Sequence, residues 1–193
     1  IKVWMEPCQY NGFKPMLVCA YYGRPEKLEE ADRICYLMAR HYNCIGTVAV
    51  EINRGETVSN FTKWKALKYL MKDPVSIWDT SLKGAVSNTY GISMGSDAKK
   101  LEGIRLLKEM LYSVIGKDDL GRDVKFYQTI YDYQSILELK KWNSVGNFDR
   151  VSEMIMRAIR WRLLDVEAAK ELAHRKKVKE DKSTKHILKR NWF

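Results

Sequence analysis

The chain has 193 residues, of which 46% are hydrophobic and 30% are charged. This length and composition are typical of one soluble domain with its own core, and no apolar run is long enough to predict a membrane span or a membrane partner. The formal net charge of +10 predicts an electropositive surface and a polyanionic partner, most simply nucleic acid. The four cysteines form no C-x-x-C pair, and we interpret them as small buried hydrophobes of a protein in a reducing compartment.

The first fifty or so residues predict a β-hairpin, a helix and a strand, in that order. Ile1–Met5 and Met16–Tyr22 are strand-like segments joined by a short turn, which indicates an antiparallel pair. Apolar residues then recur at helical spacing over 28–42, with acidic residues near the start of this segment. The nearly continuous apolar run Val48–Ile52 predicts a central strand covered on both faces, and it delivers one carboxylate, Glu51, to the end of that strand.

The rest of the chain predicts mostly helices. Apolar periodicity and capping residues predict four of them, over 58–70, from Ser96 or Asp97 to about Val114, over 135–142, and from about Asp149 onward. Two short segments, 75–78 and 125–130, are predicted as strands, and 116–122 is predicted as a polar turn. This mixture of strands and helices predicts an α/β fold.

Two acidic residues are candidates for chemistry. For Glu51 alone, at a strand end, a salt-bridge role is the simpler explanation, and for Asp149 alone, at a helix start, capping is the simpler explanation. Together, an acid at the end of a central strand and an acid at the start of a late helix are the arrangement of a ribonuclease-H-like two-metal site. Mg²⁺ or Mn²⁺ prefers such hard oxygen ligands, and two ions roughly 4 Å apart activate a water and stabilise the leaving 3′-oxygen. Glu153, one helical turn after Asp149, is a weaker candidate for the same site.

Five sequence motifs follow one another along the chain. They are Tyr21–Pro25 before a helix that ends in His41–Asn43, Val48–Gly55, Tyr90–Lys100, Tyr131-Asp132 with Glu138-Leu139, and Gly146–Ser152. In this order they resemble the nuclease domain of the large terminase subunits of tailed bacteriophages. The resemblance covers residues 1 to about 162, with Glu51 in the middle acidic motif and Asp149 at the third catalytic acid.

The resemblance implies a ribonuclease-H-like α/β fold, with a mixed sheet flanked by helices, over 1–165, followed by a basic helical carboxy-terminal extension over 166–193. It implies a metal-dependent endonuclease that cuts concatemeric viral DNA during genome packaging in the host cytoplasm. Glu51 and Asp149 would be the catalytic residues and the ligands of two Mg²⁺ or Mn²⁺ ions. The implied partners are double-stranded DNA, the ATPase motor domain, the portal and the small terminase subunit.

The chain departs from this family at its start. Such terminases carry a first catalytic aspartate on the initial strand, whereas Ile1–Met5 aligns better with the second strand. Glu6 is the alternative to that aspartate, but it lies too close to the turn at 23–25 to leave room for the intervening strand. We therefore expect a fragment that begins after the first acid and has a damaged metal site. The G-x-x-x-x-G-K-[ST] phosphate loop of the ATPase motor does not occur in the sequence.

Several basic residues are candidates for contacts with DNA. Arg54 follows the predicted strand, and Lys99 and Lys100 open the helix after residue 96, which makes them candidates for guiding DNA. For Lys99, the resemblance implies a position near the site and a contact with phosphate. A solvent-facing lysine is an equally simple explanation for Lys99. The lysines and arginines of 175–190 likewise fit either DNA binding or a solvated helix end. The alternative function, from another class, is a non-catalytic basic α/β nucleic-acid-binding module, which the charge and the missing third acid favour.

Overall fold

In the computed structural model, the backbone is described for residues 1–6, 8–9, 15–52, 56–79, 87–143 and 148–190, and the side chains are described for these residues up to 168 and for Glu171. These residues form helices and two small antiparallel sheets, which confirms the coarse prediction of an α/β fold. The ribonuclease-H-like mixed sheet stays a prediction. No helix within these ranges is both long enough and apolar enough to cross a membrane.

The predicted amino-terminal hairpin is present. It consists of β1 (Lys2–Met5) and β2 (Met16–Ala20), which pair in antiparallel register with a bulge after Val3. The backbone nitrogen of Ile1 donates to the Tyr21 carbonyl at 3.0 Å, and the Tyr21 N–H donates to the Ile1 carbonyl at 2.8 Å. These two bonds extend the pairing beyond the ends of both strands.

The segment Val48–Ile52 forms short bridges instead of a regular strand. Val48 bridges Leu70 in parallel, and Glu51 bridges Ile92 in parallel. Its apolar residues are half-buried and Glu51 is exposed, so the prediction of a central strand covered on both faces is wrong. Its described partners, residues 69–71 and Ile92, bond to one backbone edge of the segment, and neighbouring elements cover its side chains only in part.

Helices make up most of the structure. Their bounds are α1 (Leu28–His41), α2 (Glu56–Lys63), α3 (Val75–Trp78), α4 (Asp97–Tyr112), α5 (Tyr133–Lys141) and α6 (Asp149–Arg190). Short 3₁₀ turns occupy 67–69 and 126–129. Since α6 runs without a break past residue 165, the proposed division into 1–165 and 166–193 falls within a helix.

Three predicted elements differ from the structure. The helix predicted over 58–70 ends at Lys63, because Lys65 adopts a left-handed φ of 55° and the chain then turns into a 3₁₀ segment. The segment 75–78, predicted as a strand, is one helical turn that follows Pro74. The segment 125–130, also predicted as a strand, is mainly a 3₁₀ turn.

A second hairpin lies where the sequence predicted only a polar turn. β3 (Val114–Lys117) and β4 (Asp123–Lys125) pair in antiparallel register. The Asp118 carboxylate accepts hydrogen bonds from the Leu120 and Arg122 backbone N–H groups, both at 2.9 Å, and so closes the turn.

Two hydrophobic cores hold these elements together. In the larger core, α4 packs on α6 through side chains such as Leu106, Met110 and Ile159, all fully buried. The smaller core joins α1 to α2 around Phe61, which is also fully buried. Burial of each such side chain contributes about 1.5–3 kcal/mol. The two cores fix α6 and α1, which both border the candidate site.

Candidate functional site

One large cavity, with a volume of about 1020 Å³, brings together residues that are far apart in the sequence. It is lined by β1, by the turn at 21–24, by residues of 44–51 and by the first three turns of α6. Both predicted acids, Glu51 and Asp149, are among the lining residues. The structure therefore places the two predicted catalytic residues at the same cavity.

Asp149 is the first residue of α6, as predicted, and an arginine holds its carboxylate. Arg24 Nη2 donates to Asp149 Oδ2 at 2.8 Å, and both side chains are exposed. An exposed pair of this kind contributes only about 0–1 kcal/mol, so Asp149 remains available to other ligands. Arg24 belongs to the Tyr21–Pro25 motif, and two of the segments that carry the sequence resemblance are therefore in contact.

Glu51 reaches the cavity from a different element. It is exposed and follows a half-buried apolar stretch, 48–50, that lines the cavity with it. Glu153, the weaker candidate from the sequence, also lines the cavity. The cavity therefore contains acids from a strand-like segment and from the start of a helix.

A buried lysine that the sequence analysis did not select lies beside these acids. The Lys2 side chain is 2% exposed, and its Nζ donates to Ser135 Oγ at 2.5 Å. The same Nζ lies 3.1 Å from a Glu153 carboxylate oxygen and 3.4 Å from one of Asp132. A buried ammonium requires such partners, because removing it from water costs several kcal/mol. The sequence signal that could have identified this residue is a lysine within an otherwise apolar strand segment.

Asp132 is the main acceptor in this buried cluster. The Tyr22 hydroxyl donates to Asp132 Oδ2 at 2.6 Å, and the Ser135 hydroxyl donates to the same oxygen. Burial raises the pKa of Asp132, but the hydrogen bonds from Ser135 and Tyr22 and the charge of Lys2 outweigh burial and lower the pKa from its usual value. Burial, together with the bond to Asp132, raises the pKa of the Tyr22 phenol. Asp132 is not among the residues that line the cavity, so we assign it a structural role.

Arginines of α6 form the positive part of the cavity lining. Arg157 donates two hydrogen bonds, of 2.7 and 2.8 Å, to the Glu6 carboxylate, and Arg150 Nη1 donates to Glu138 at 2.5 Å. The Nε atoms of Arg150, Arg157 and Arg160 are buried and have no hydrogen-bond partner among the described residues. Glu6, the alternative to a first catalytic acid, serves in this structure as the counter-ion of Arg157.

The residues predicted to contact DNA lie away from this cavity or outside the description. Lys99 Nζ is 3.4 Å from Asp73 Oδ2 and 5.2 Å from the ring centre of Trp78, so this lysine belongs to an internal cluster. Lys100 is exposed and lies 3.5 Å from Asp97. Neither lysine lines the cavity. Arg54 lies outside the residues that the structure describes.

The chemistry of the two acids fits a divalent cation. Carboxylate oxygens such as those of Glu51 and Asp149 are the ligands that Mg²⁺ and Mn²⁺ prefer. In the described part of the chain, no three His, Cys, Asp or Glu residues lie close enough together to hold a metal ion. The donor type is therefore suitable, and a complete set of ligands requires a further donor.

The cysteines contribute no chemistry to the cavity. All four are free and half-buried, so they are less buried than the sequence analysis expected. Cys35 and Cys44 line the cavity, and burial raises the pKa of the Cys35 thiol to about 12 and also raises the pKa of Cys44. Thiols with a raised pKa are weak nucleophiles and weak metal ligands at neutral pH.

Comparison with known proteins does not assign a function to the chain. Neither models of protein families nor curated proteins nor solved structures match the chain. A function for the protein therefore has to rest on the cavity and on the residues around it.

Proposed function

We propose that the protein is a metal-dependent endonuclease with a ribonuclease-H-like fold, and that it cuts concatemeric viral DNA during genome packaging, as do the terminase nucleases it resembles. The observation that supports this proposal is the position of Glu51 and Asp149 at one cavity. These acids are distant in the sequence and come from elements of different kinds. The shared cavity of two segments distant in the sequence supports the proposal.

In the proposed reaction, Glu51 and Asp149 would hold Mg²⁺ or Mn²⁺ at the cavity. Such ions would activate a water and stabilise the leaving 3′-oxygen of a phosphodiester. Arg24, whose guanidinium lies 2.8 Å from Asp149, is placed to bind the phosphate group that is cut. Because the pair of Arg24 and Asp149 is exposed, its separation costs little.

Duplex DNA is the proposed substrate, bound mainly through phosphate contacts that do not depend on sequence. The net charge of +10, the exposed Lys100 and the basic sequence of 166–193 support such binding. Lys99 and Arg54 remain candidates, although Lys99 is partly committed to Asp73. The resemblance adds the ATPase motor domain, the portal and the small terminase subunit as proposed partners in the host cytoplasm.

A non-catalytic nucleic-acid-binding module is the second candidate function. It is favoured by one observation, namely that the described residues contain no group of three potential metal ligands. Arg24, which holds Asp149, is consistent with either function. In the binding module it neutralises the acid, and in the nuclease it binds the phosphate. The two candidates differ in whether bound DNA is cut.

Nicking of supercoiled plasmid by the full-length protein distinguishes the two functions. With Mg²⁺ or Mn²⁺ we expect nicking that a chelator abolishes. Glu51→Gln and Asp149→Asn should each slow nicking at least about 100-fold, because the loss of even an outer-shell partner of a metal ligand costs roughly 10- to 100-fold. Binding of duplex DNA should stay within about twofold in both variants, since cationic side chains provide it.

Glu30→Gln and Asp119→Asn are the matched controls. Both acids are exposed and neither lines the cavity, so nicking should be unchanged. Undiminished nicking by Glu51→Gln or by Asp149→Asn would contradict the proposed roles. Tight binding of DNA without nicking in either cation would favour the binding module.

A further inference from the structure

Two segments that contain no acidic residue come together in the structure. Residues 33–50 and 57–72 hold no Asp or Glu, and their lysines and arginines are Arg33, Arg40, Lys63, Lys65, Lys68 and Lys72. The first segment includes most of α1, and the second includes most of α2 and the 3₁₀ turn at 67–69. Because α1 packs against both α2 and this turn, the fold gathers cations of both segments on neighbouring elements.

Aromatic contacts show how these elements meet. The Tyr36 and Trp64 rings stack with their centres 5.9 Å apart, and the Arg33 guanidinium lies 5.7 Å from the centre of the Trp64 ring. Tyr36 also contacts Tyr69 at 5.9 Å, and Lys68 Nζ lies 5.2 Å from the centre of the Tyr69 ring. The surface formed here, which we call the α1–α2 face, consists of Arg33, Arg40, Lys65 and Lys68 together with the Tyr36 and Trp64 rings.

The four cations of the α1–α2 face are exposed, and no described acid neutralises them. The neighbouring Lys63 forms an ion pair with Glu29, whereas none of the four forms an ion pair with a described residue. Asp32 of α1 is 5% exposed, and its carboxylate accepts a hydrogen bond from Asn60. The face is therefore a concentration of positive charge at the surface.

Favourable helix-dipole interactions explain only part of this charge. Arg40 lies in the last turn of α1, where a cation stabilises the helix. Arg33 lies in the middle of α1, and Lys65 and Lys68 lie beyond the end of α2. A different reason is therefore needed for three of the four cations.

The α1–α2 face lies on the far side of α1 from the cavity. Arg33, Tyr36 and Arg40 are three and four residues apart, so they lie along one side of the helix. Met38 and Ala39, which line the cavity, lie on the other side. None of the four cations lines the cavity. The face is therefore separate from Glu51 and Asp149.

The residue types of the face favour a nucleic acid over an acidic protein. Lysine is depleted at the centre of protein interfaces, whereas lysine and arginine are the main donors to phosphates. Arg33 and Arg40 are about 10 Å apart along the helix axis, a span that suits an extended chain of phosphates. Trp64, half-buried beneath Arg33, restricts the guanidinium before any ligand binds, which lowers the entropic cost of a phosphate contact.

We propose that the α1–α2 face binds the sugar–phosphate backbone of a nucleic-acid duplex, as a contact surface additional to the one at Glu51 and Asp149. Its four cations contact phosphates, so binding does not depend on sequence. The proposal goes beyond the proposed nuclease activity, because this contact needs no metal ion and does not require the bound duplex to be cut.

Binding of a short labelled DNA duplex to the full-length protein in EDTA tests this proposal. The face variant combines Arg33→Gln, Arg40→Gln, Lys65→Gln and Lys68→Gln. It should bind at least about tenfold more weakly at physiological salt, and the slope of log Kd against log salt should fall by about 3 to 4, because each lost phosphate contact releases fewer counterions. Circular dichroism of the variant checks that it is folded.

A second variant with the same loss of charge is the control. It combines Arg105→Gln, Lys108→Gln, Lys117→Gln and Arg122→Gln, which lie at exposed positions on α4 and on the β3–β4 hairpin. Its slope should change by less than about 1, since these residues are not part of the face. The control separates phosphate contacts of the face from the effect of net charge.

Acetylation of lysines in the wild-type protein tests the face without any substitution. Saturating duplex should slow acetylation of Lys65 and Lys68 at least about fivefold and leave Lys108 and Lys117 within about twofold. Polyglutamate of the same total charge should protect Lys65 and Lys68 less, because it lacks the charge density of a duplex.

Three results would overturn the proposal. An equal loss of affinity in both variants would show that DNA binding reports only net charge. Unchanged acetylation of Lys65 and Lys68 under saturating duplex would place DNA elsewhere on the protein. Equal protection by polyglutamate would favour an acidic protein as the partner. Because EDTA removes divalent cations, none of these results depends on nuclease activity.

Discussion

Asp132 is the residue whose replacement should weaken the fold most clearly. It accepts hydrogen bonds from Tyr22 and Ser135 and lies 3.4 Å from the buried Nζ of Lys2. Asp132→Asn keeps the size of the side chain but removes its charge, and Glu153 at 3.1 Å is then the remaining counter-ion of Lys2. Losing hydrogen bonds to a charged group costs about 1.5–3 kcal/mol, so we expect the free energy of unfolding to fall by about 2–3 kcal/mol. For a chain of this length, this loss lowers Tm by roughly 4–12 °C.

The effect of Asp132→Asn should depend on pH. Because the pKa of Asp132 is lowered in the folded protein, its contribution is complete above the unfolded value of about 3.9 and is lost as pH falls through the folded pKa. The wild type and the variant should therefore differ at pH 7 and approach each other below about pH 4. Urea unfolding followed by circular dichroism at pH 7, 5 and 3 measures this difference.

Asp119→Asn is the control for this experiment. Asp119 is exposed in the turn between β3 and β4, and its replacement should change the free energy of unfolding by no more than about 0.5 kcal/mol. Equal unfolding free energies for the wild type and Asp132→Asn at pH 7 would refute the reasoning. A difference that stays constant down to pH 3 would show that the charge of Asp132 is not its cause.

Three further predictions concern packing, the site and the tail. A Cβ atom at Gly103 would lie 2.7 Å from Ile155 Cγ2. Gly103→Ala should therefore lower the unfolding free energy by about 1 kcal/mol, which is the cost of overpacking less the gain in helix propensity. A higher Tm would contradict this. Arg24→Met should change the unfolding free energy by less than about 0.5 kcal/mol, since its ion pair is exposed, but it should slow plasmid nicking; unchanged nicking would place Arg24 outside the site. Deleting 175–193 should flatten the slope of log Kd against log salt for a labelled duplex, because fewer counterions are released; equal slopes would show that the tail does not contact DNA.

Local signals in the sequence predicted much of the fold. The amino-terminal hairpin, α1, α4, α5 and the start of α6 depend on alternation, helical spacing and capping residues close together in the chain. Ser96 illustrates this, because its hydroxyl accepts the Lys99 N–H at 3.3 Å and so caps α4 as predicted. Such contacts join residues only a few positions apart, so the local sequence pattern is enough to predict them.

Contacts between distant segments were harder to predict. The burial of Val48–Ile52 depends on which segments lie beside it, and its apolar composition alone overstated that burial. The ion pairs of Lys2 with Glu153 and of Arg24 with Asp149 join residues more than one hundred positions apart, and no local spacing indicates them. Placing Glu51 and Asp149 at one site therefore depended on the resemblance to a family.

The buried ion pairs have a consequence for the candidate site. Lys2, the first residue of β1, is bound to Glu153 of α6, and Glu6, directly after β1, is bound to Arg157 of the same helix. Both ends of β1 are therefore joined to α6 by ion pairs. The pair of Glu6 and Arg157 is also hydrogen-bonded through both terminal guanidinium nitrogens, which fixes a position more strictly than apolar contacts do. Asp149 is the first residue of α6. The same helix therefore positions the candidate catalytic acid and sets the width of the cavity beside β1. A substitution that loosens Arg157 should then disturb the proposed metal site as well as β1, even though Arg157 is not a proposed metal ligand.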